Sequence, residues 1–293
     1  MTNRIKNVCK HAATAALVLI SLFAISGCQT TKTTAVSDKE KTVESSKVIE
    51  KTTIPTLFFH GYSGTENSFK GMLQRLEKNQ KAVKELVLIV EADGQIQAEG
   101  DLSGKADNPM VQVLFADNKN NEWNQAEWIK SCLLYLKENY SIDKVNIVGH
   151  SMGGVSALRY LGTYGQDTSL PQVQTFTAIG APFNDFVDDS GQSLTEELAK
   201  GPAVVSSRYQ DYQQIIGNMP TTTRFFLIAG QLDEADLSDG TVPLNSALAV
   251  YALLKQHGNE VEEKIVKGEN AAHSMLHENQ EVDQLVSRFV WNE

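Results

Sequence analysis

The sequence predicts an α/β fold in which helices cover both faces of a mostly parallel sheet. Two observations carry that prediction. Short continuous apolar runs, the pattern of strands buried on both sides, alternate along the chain with stretches whose apolar residues recur at helical spacing. About 240 residues follow Thr53, enough for one such domain with a sizeable core.

Taken in order, "IPTLFFHG" (Ile54–Gly61) is the first apolar run. A helix is expected over Glu66–Lys78, where Phe69, Met72, Leu73 and Leu76 share a face. Glu85–Gly94 and Pro109–Asp117 read as strands joined by a polar connection that carries Gly and Asp. Asn121–Tyr140 repeats apolar residues through Trp128, Cys132, Tyr135 and Leu136 and reads as a helix, with Cys132 a buried small hydrophobe. "KVNIVGHS" is the next strand and Met152–Thr163 the next helix. "VQTFTAIGAPF" and "TTTRFFLIAG" read as strands, separated by Asn184–Pro220, which has helical patches and no strand signal. "VEEKIVKG" is a last strand and Met275–Trp291 a last helix. An insertion as long as 184–220 exceeds ordinary loops, so a short helical lid is expected there.

The first 53 residues differ from the rest. Arg4, Lys6 and Lys10 precede an uncharged run from Ala12 to Ser26, too short for the roughly 20 residues of a membrane-spanning helix. A basic start, a short apolar run and a small-residue stop describe a secretory signal over 1–27. Its end, Ile25-Ser26-Gly27-Cys28, resembles the lipobox of bacterial lipoproteins, which implies that Cys28 becomes the first mature residue and carries acyl chains. Residues 28–53 contain no aromatic residue, Gly or Pro and are rich in Thr, Ser, Lys and Glu, so a flexible tether is expected, ahead of a folded domain at 54–293.

Charge narrows the partners. Loss of the three basic signal residues leaves 23 Lys and Arg against 36 Asp and Glu, a net charge near −13. Such a surface argues against nucleic acid and offers no attraction to anionic lipid, so attachment to a membrane would rest on Cys28. With Cys9 in the signal and Cys28 acylated, Cys132 alone remains and no disulfide can form within one mature chain. A monomer is expected.

Gly149-His150-Ser151-Met152-Gly153 matches G-x-S-x-G, at the end of an apolar strand and the start of a helix, as that motif requires. Flanking glycines fit a nucleophile held in a turn too tight for a neighbouring Cβ. An N-cap serine at an ordinary strand-to-helix turn is the plainer reading of the same stretch. A serine nucleophile needs a base, and the base needs an acid to orient it.

"GHSMGG" resembles the nucleophile elbow of the α/β-hydrolases, of the lipase and esterase type. That resemblance implies an α/β-hydrolase fold and a Ser, Asp or Glu, His order along the chain. In the loop before the last helix it makes His273 the expected base, with His277, one turn later, expected to pack or cap. His257 is expected in an exposed turn. Asp239 in "SDGTVP" resembles the family's catalytic acid, while Asp233, nearer the strand end, is the alternative. A calcium role for the acidic cluster does not fit an EF-hand spacing. The loop His60-Gly61-Tyr62 resembles the oxyanion loop of lipases, which implies donors at the backbone N–H of Tyr62 and of Met152, with His60 holding the loop. Ile54 to Trp291 together resemble the DUF915 group of Gram-positive cell-surface hydrolases. The resemblance implies a tethered serine hydrolase of small-molecule or lipid esters, working without metal or cofactor. A thioesterase, amidase or peptidase with the same triad, or a silent binding protein, stays open.

Overall fold

A computed structural model of the protein describes residues 50–187 and 191–292. The predicted signal, Cys28 and nearly all of the tether lie outside the described residues.

Eight strands form one sheet: β1 (Thr56–Phe59), β2 (Val83–Val90), β3 (Ile96–Gly100), β4 (Pro109–Phe115), β5 (Lys144–His150), β6 (Gln172–Ile179), β8 (Arg224–Gln231) and β9 (Val261–Lys267). Their order is β3-β2-β4-β1-β5-β6-β8-β9, parallel throughout except for β3, which runs antiparallel to β2. The helices are α1 (Asn67–Lys78), α2 (Glu122–Tyr140), α3 (Met152–Tyr164), α4 (Leu194–Lys200), α5 (Ser207–Ile215), α6 (Leu244–Leu248), α7 (Val250–His257) and α8 (Gln280–Trp291). A short strand, β7 (Phe183–Phe186), lies outside the sheet.

Side-chain alternation divides the apolar residues of the strands between two cores. Leu57 and Phe59 of β1 and Val145 and Ile147 of β5 join a cluster with Leu133 of α2 and Leu158 of α3. Phe58 and Val148 point the other way, into a cluster with Phe69 of α1 and Val286 of α8. Cys132 is fully buried in the first of these. The predicted α/β layering is the observed one.

Four expectations need correction. The connection after β2 contains an edge strand, β3, whose residues are nearly all exposed; a solvated edge strand lacks the apolar run that marks the central ones. "VQTFTAIGAPF" is not one strand: Gly180, at φ +56°, ends β6 and the chain re-forms as β7 within a segment expected to hold no strand. Met275–Trp291 is not one helix either. Asn279 adopts an extended conformation and its side chain accepts from Glu281 N–H, so α8 starts afresh after a 3-10 stretch, His273–Glu278. His257 is half-buried rather than exposed, its Nε2–H donating to the Met219 carbonyl at 3.0 Å.

Of the segment 184–220, α5 is keyed to the body of the domain. Tyr209 and Tyr212 are buried and the Tyr212 hydroxyl donates to the Val155 carbonyl on α3 at 3.3 Å. Arg208 pairs with buried Glu122, which also holds Arg159. Leu194 and Leu198 of α4 are partly buried, and α4 packs on α6 and α7.

Candidate active site

The site lies at the C-terminal ends of the central parallel strands, where successive loops converge. β5 delivers Ser151. The elbow is forced by packing: a Cβ on Gly149 would lie 2.6 Å from Gly154 N, and one on Gly153 would lie 2.2 Å from the Phe59 carbonyl oxygen. Ser151 consequently sits at φ +53°, ψ −123°, a conformation costly for any residue with a side chain. It occupies the N-cap position of α3, yet its hydroxyl caps nothing there. The hydroxyl meets the imidazole of His273 instead, with Ser151 Oγ 3.0 Å from Nε2.

The other imidazole nitrogen, Nδ1, is 2.7 Å from Oδ2 of Asp239. That carboxylate is 2 % exposed, and its Oδ1 accepts from the Thr241 and Val242 amides at 3.0 and 2.7 Å, which fixes its direction. The main chains are joined too, His273 N–H donating to the Asp239 carbonyl at 2.8 Å. The structure thus brings Ser151, His273 and Asp239 together. Asp233 stands elsewhere: it is exposed, and its Oδ1 accepts from the amides of Ala235 and Asp236, its own turn.

The loop after β1 passes directly over the elbow, since a Cβ on Gly61 would lie 2.9 Å from Ser151 Cβ. His60 holds this loop as expected. Its Nδ1–H donates to the Gly61 carbonyl at 2.8 Å, and Nε2 accepts from Phe115 N–H at 3.1 Å. Both bonds require the neutral ring, and burial holds its pKa below the ordinary histidine value. The Tyr62 amide makes no hydrogen bond among the described residues. Met152 opens α3, so its amide belongs to the first turn, which has no intrahelical acceptor. These are the two amides that the lipase resemblance named as expected donors.

Two further residues, Gly180 and His150, were not legible as site residues. Gly180 faces Asp239 and His273, close enough that a Cβ on it would press on both side chains. His150 packs its ring 4.7 Å from that of His273, and burial, reinforced by His273 and His277, drives its pKa well below the ordinary histidine value. His277 packs as expected, 4.8 Å from His150 and 5.9 Å from Phe69, and burial lowers its pKa as well. Arg75 of α1 secures the segment that carries His273 and His277, donating to the His277 carbonyl, Glu278 and Asp283. Only spacing and motif were available in the sequence, and these contacts join residues far apart along it.

Residues 43–293 match the model of a family described as an alpha/beta hydrolase of unknown function, DUF915. The chain belongs to that family. The solved structure of the lin2722 gene product of Listeria innocua is similar to this DUF915 hydrolase, with 27 % identity and a TM-score of 0.75, over 81 % of this chain and 93 % of the other. A candidate cell surface hydrolase from Lactobacillus plantarum shares the fold, with 24 % identity and a TM-score of 0.67, over 82 % and 92 % of the two chains. No curated protein matches the chain. Among the described residues of the DUF915 hydrolase, no helix is long and apolar enough to cross a membrane.

Proposed function

We propose that the chain is a serine hydrolase of carboxylic esters, held at the outer face of a cell membrane through acylated Cys28. The observation that carries the reading is the unbroken relay Ser151 Oγ, His273, Asp239, at 3.0 and 2.7 Å, on a strained elbow that no capping role explains.

The chemistry follows from the geometry. Neutral His273 donates Nδ1–H to Asp239 and accepts the Ser151 proton at Nε2 as Oγ attacks the ester carbonyl carbon. The carbonyl electron pair moves onto oxygen, where the Tyr62 and Met152 amides stabilise it. The imidazolium, steadied by Asp239, returns its proton to the leaving alkoxide as the carbon–oxygen bond breaks. Water repeats the sequence on the acyl-enzyme, giving its proton to His273 and releasing the acid. Chain groups and water carry every proton in this cycle.

An apolar acyl or alcohol portion is supported by the loops around the site. Tyr62, Trp123, Phe186, Leu237 and Met275 are large apolar side chains exposed on the segments that follow β1, β4, β6, β8 and β9. Because α5 is tied down by Tyr212 and Arg208, a lid within 184–220 is proposed only for the α4 stretch. Hydrolysis of p-nitrophenyl esters from acetate to palmitate tests the reading. Turnover that depends on Ser151 and His273 supports it, and no turnover at any length counts against it.

A further inference from the structure

The catalytic base of such a relay must be held to a fraction of an ångström, yet His273 sits on a loop after β9, at the first residue of a short 3-10 stretch. Its main-chain N–H is gripped by the Asp239 carbonyl. Its main-chain carbonyl is held as well, by a side chain with no place in the chemistry above. His150, the residue before the nucleophile, donates Nε2–H to His273 O at 3.0 Å.

We propose that His150 is a positioning residue for His273, tying the main chain of the base to the strand that bears the nucleophile. The chemistry it would serve rests on the serine hydrolase reading, whereas the contact itself does not depend on it.

Three features fit this role better than simple core filling. His150 is only 6 % exposed, and its ring is enclosed between two others, tilted 42° to His273 and standing at 84° to His277. The enclosure sets the ring plane and so aims Nε2–H at the carbonyl. Donation from Nε2 leaves the Nδ1 lone pair toward Gly61, where a Cβ would come within 3.2 Å of it, so the oxyanion loop closes the remaining side. Burial also favours the neutral ring, which keeps a second cation away when His273 takes the serine proton. An apolar side chain of similar volume would fill the space and leave the carbonyl unheld. Glutamine, whose amide reaches about as far as Nε2, would hold it.

The test compares His150→Leu with His150→Gln in the full chain. It reads kcat and KM on p-nitrophenyl butyrate, together with the low-field proton resonance of His273 Nδ1–H, assigned by its loss in His273→Ala. The expected result for His150→Leu is a cooperative melt, a kcat lower by about 10–100-fold, a KM within about twofold and a broadened or lost resonance. His150→Gln is expected to recover most of that kcat and to keep the resonance. Equal impairment in both variants, or wild-type kcat and resonance in His150→Leu, would overturn the proposal. Should His150→Leu fail to fold, His150→Met takes its place as the variant without a donor. If the wild type hydrolyses no ester, the serine hydrolase reading fails, and the resonance alone decides. Loss in Leu with retention in Gln supports the positioning role, and retention in both contradicts it.

Discussion

Gly180 stands so near Asp239 that a Cβ on it would lie 3.0 Å from the carboxylate Oδ2 and 3.3 Å from His273 Nδ1. The residue also has φ +56°, where an L side chain is strained by roughly 1–2 kcal/mol. Both effects act on the acid–base pair. Gly180→Ala is expected to lower kcat about 10–100-fold with little change in KM, and to lower the melting temperature modestly. Wild-type kinetics in a folded Gly180→Ala would show that the pair tolerates displacement.

The two candidate acids predict different losses. Asp239→Asn removes the charge that orients His273 and steadies its imidazolium, and a fall in kcat of about 10³–10⁴-fold is expected. Asp233→Asn alters an exposed turn and is expected to stay within about twofold. Steady-state kinetics on one short ester decides between them, and a larger loss at Asp233 would reverse the assignment.

Stability should fall in mild acid. His60, His150 and His277 have folded pKa values below the ordinary 6.5, each because burial disfavours the charged ring. The unfolded chain therefore binds more protons as pH drops below 6.5, so the stabilisation is complete above that value and is lost as pH falls toward the folded pKa values. The slope is about 1.4 kcal/mol per pH unit for each ring still neutral in the fold. Urea unfolding at pH 7.5, 6.5 and 5.5 should show midpoints declining across the last interval. A flat profile would mean that these rings protonate freely in the native state.

Glu122 anchors two guanidinium groups, those of Arg159 and Arg208, and is itself 1 % exposed. Glu122→Leu removes the buried carboxylate that both cations share, leaving Arg159 with the partly exposed Asp211 and Arg208 with the partly exposed Asp185, and is expected to cost about 1.5–3 kcal/mol in urea unfolding. Because α5 hangs on this contact, protease cleavage within 204–219 should accelerate in the variant. An unchanged cleavage rate would show that Tyr209 and Tyr212 hold α5 unaided.

The parts of this architecture that were readable in the sequence are those dictated locally. Central strands announce themselves because burial on both faces demands unbroken apolar runs such as Leu57–Phe59. Ser151 is legible because glycines at 149 and 153 are required by atoms only a few residues away or one strand over. The edge strand β3 escaped because solvent on both of its faces imposes no pattern. The break at Gly180 and the N-cap at Asn279 escaped because an apolar period runs through both, and a single residue's backbone overrides it. The choice between Asp239 and Asp233 was open for another reason. Both lie in one acidic loop, and only the fold shows which carboxylate turns inward. The role of His150 had no local trace, since its partner lies 123 residues away.

Covalent labelling tests most directly whether Ser151 is an activated nucleophile. The full chain is treated with a fluorophosphonate probe, beside Ser151→Ala and His273→Ala, and the labelled peptide is mapped. One label per chain on Ser151 is expected, absent in Ser151→Ala and strongly slowed in His273→Ala. A folded wild type that stays unlabelled, or a label carried by another residue, would contradict the assignment of Ser151 as nucleophile.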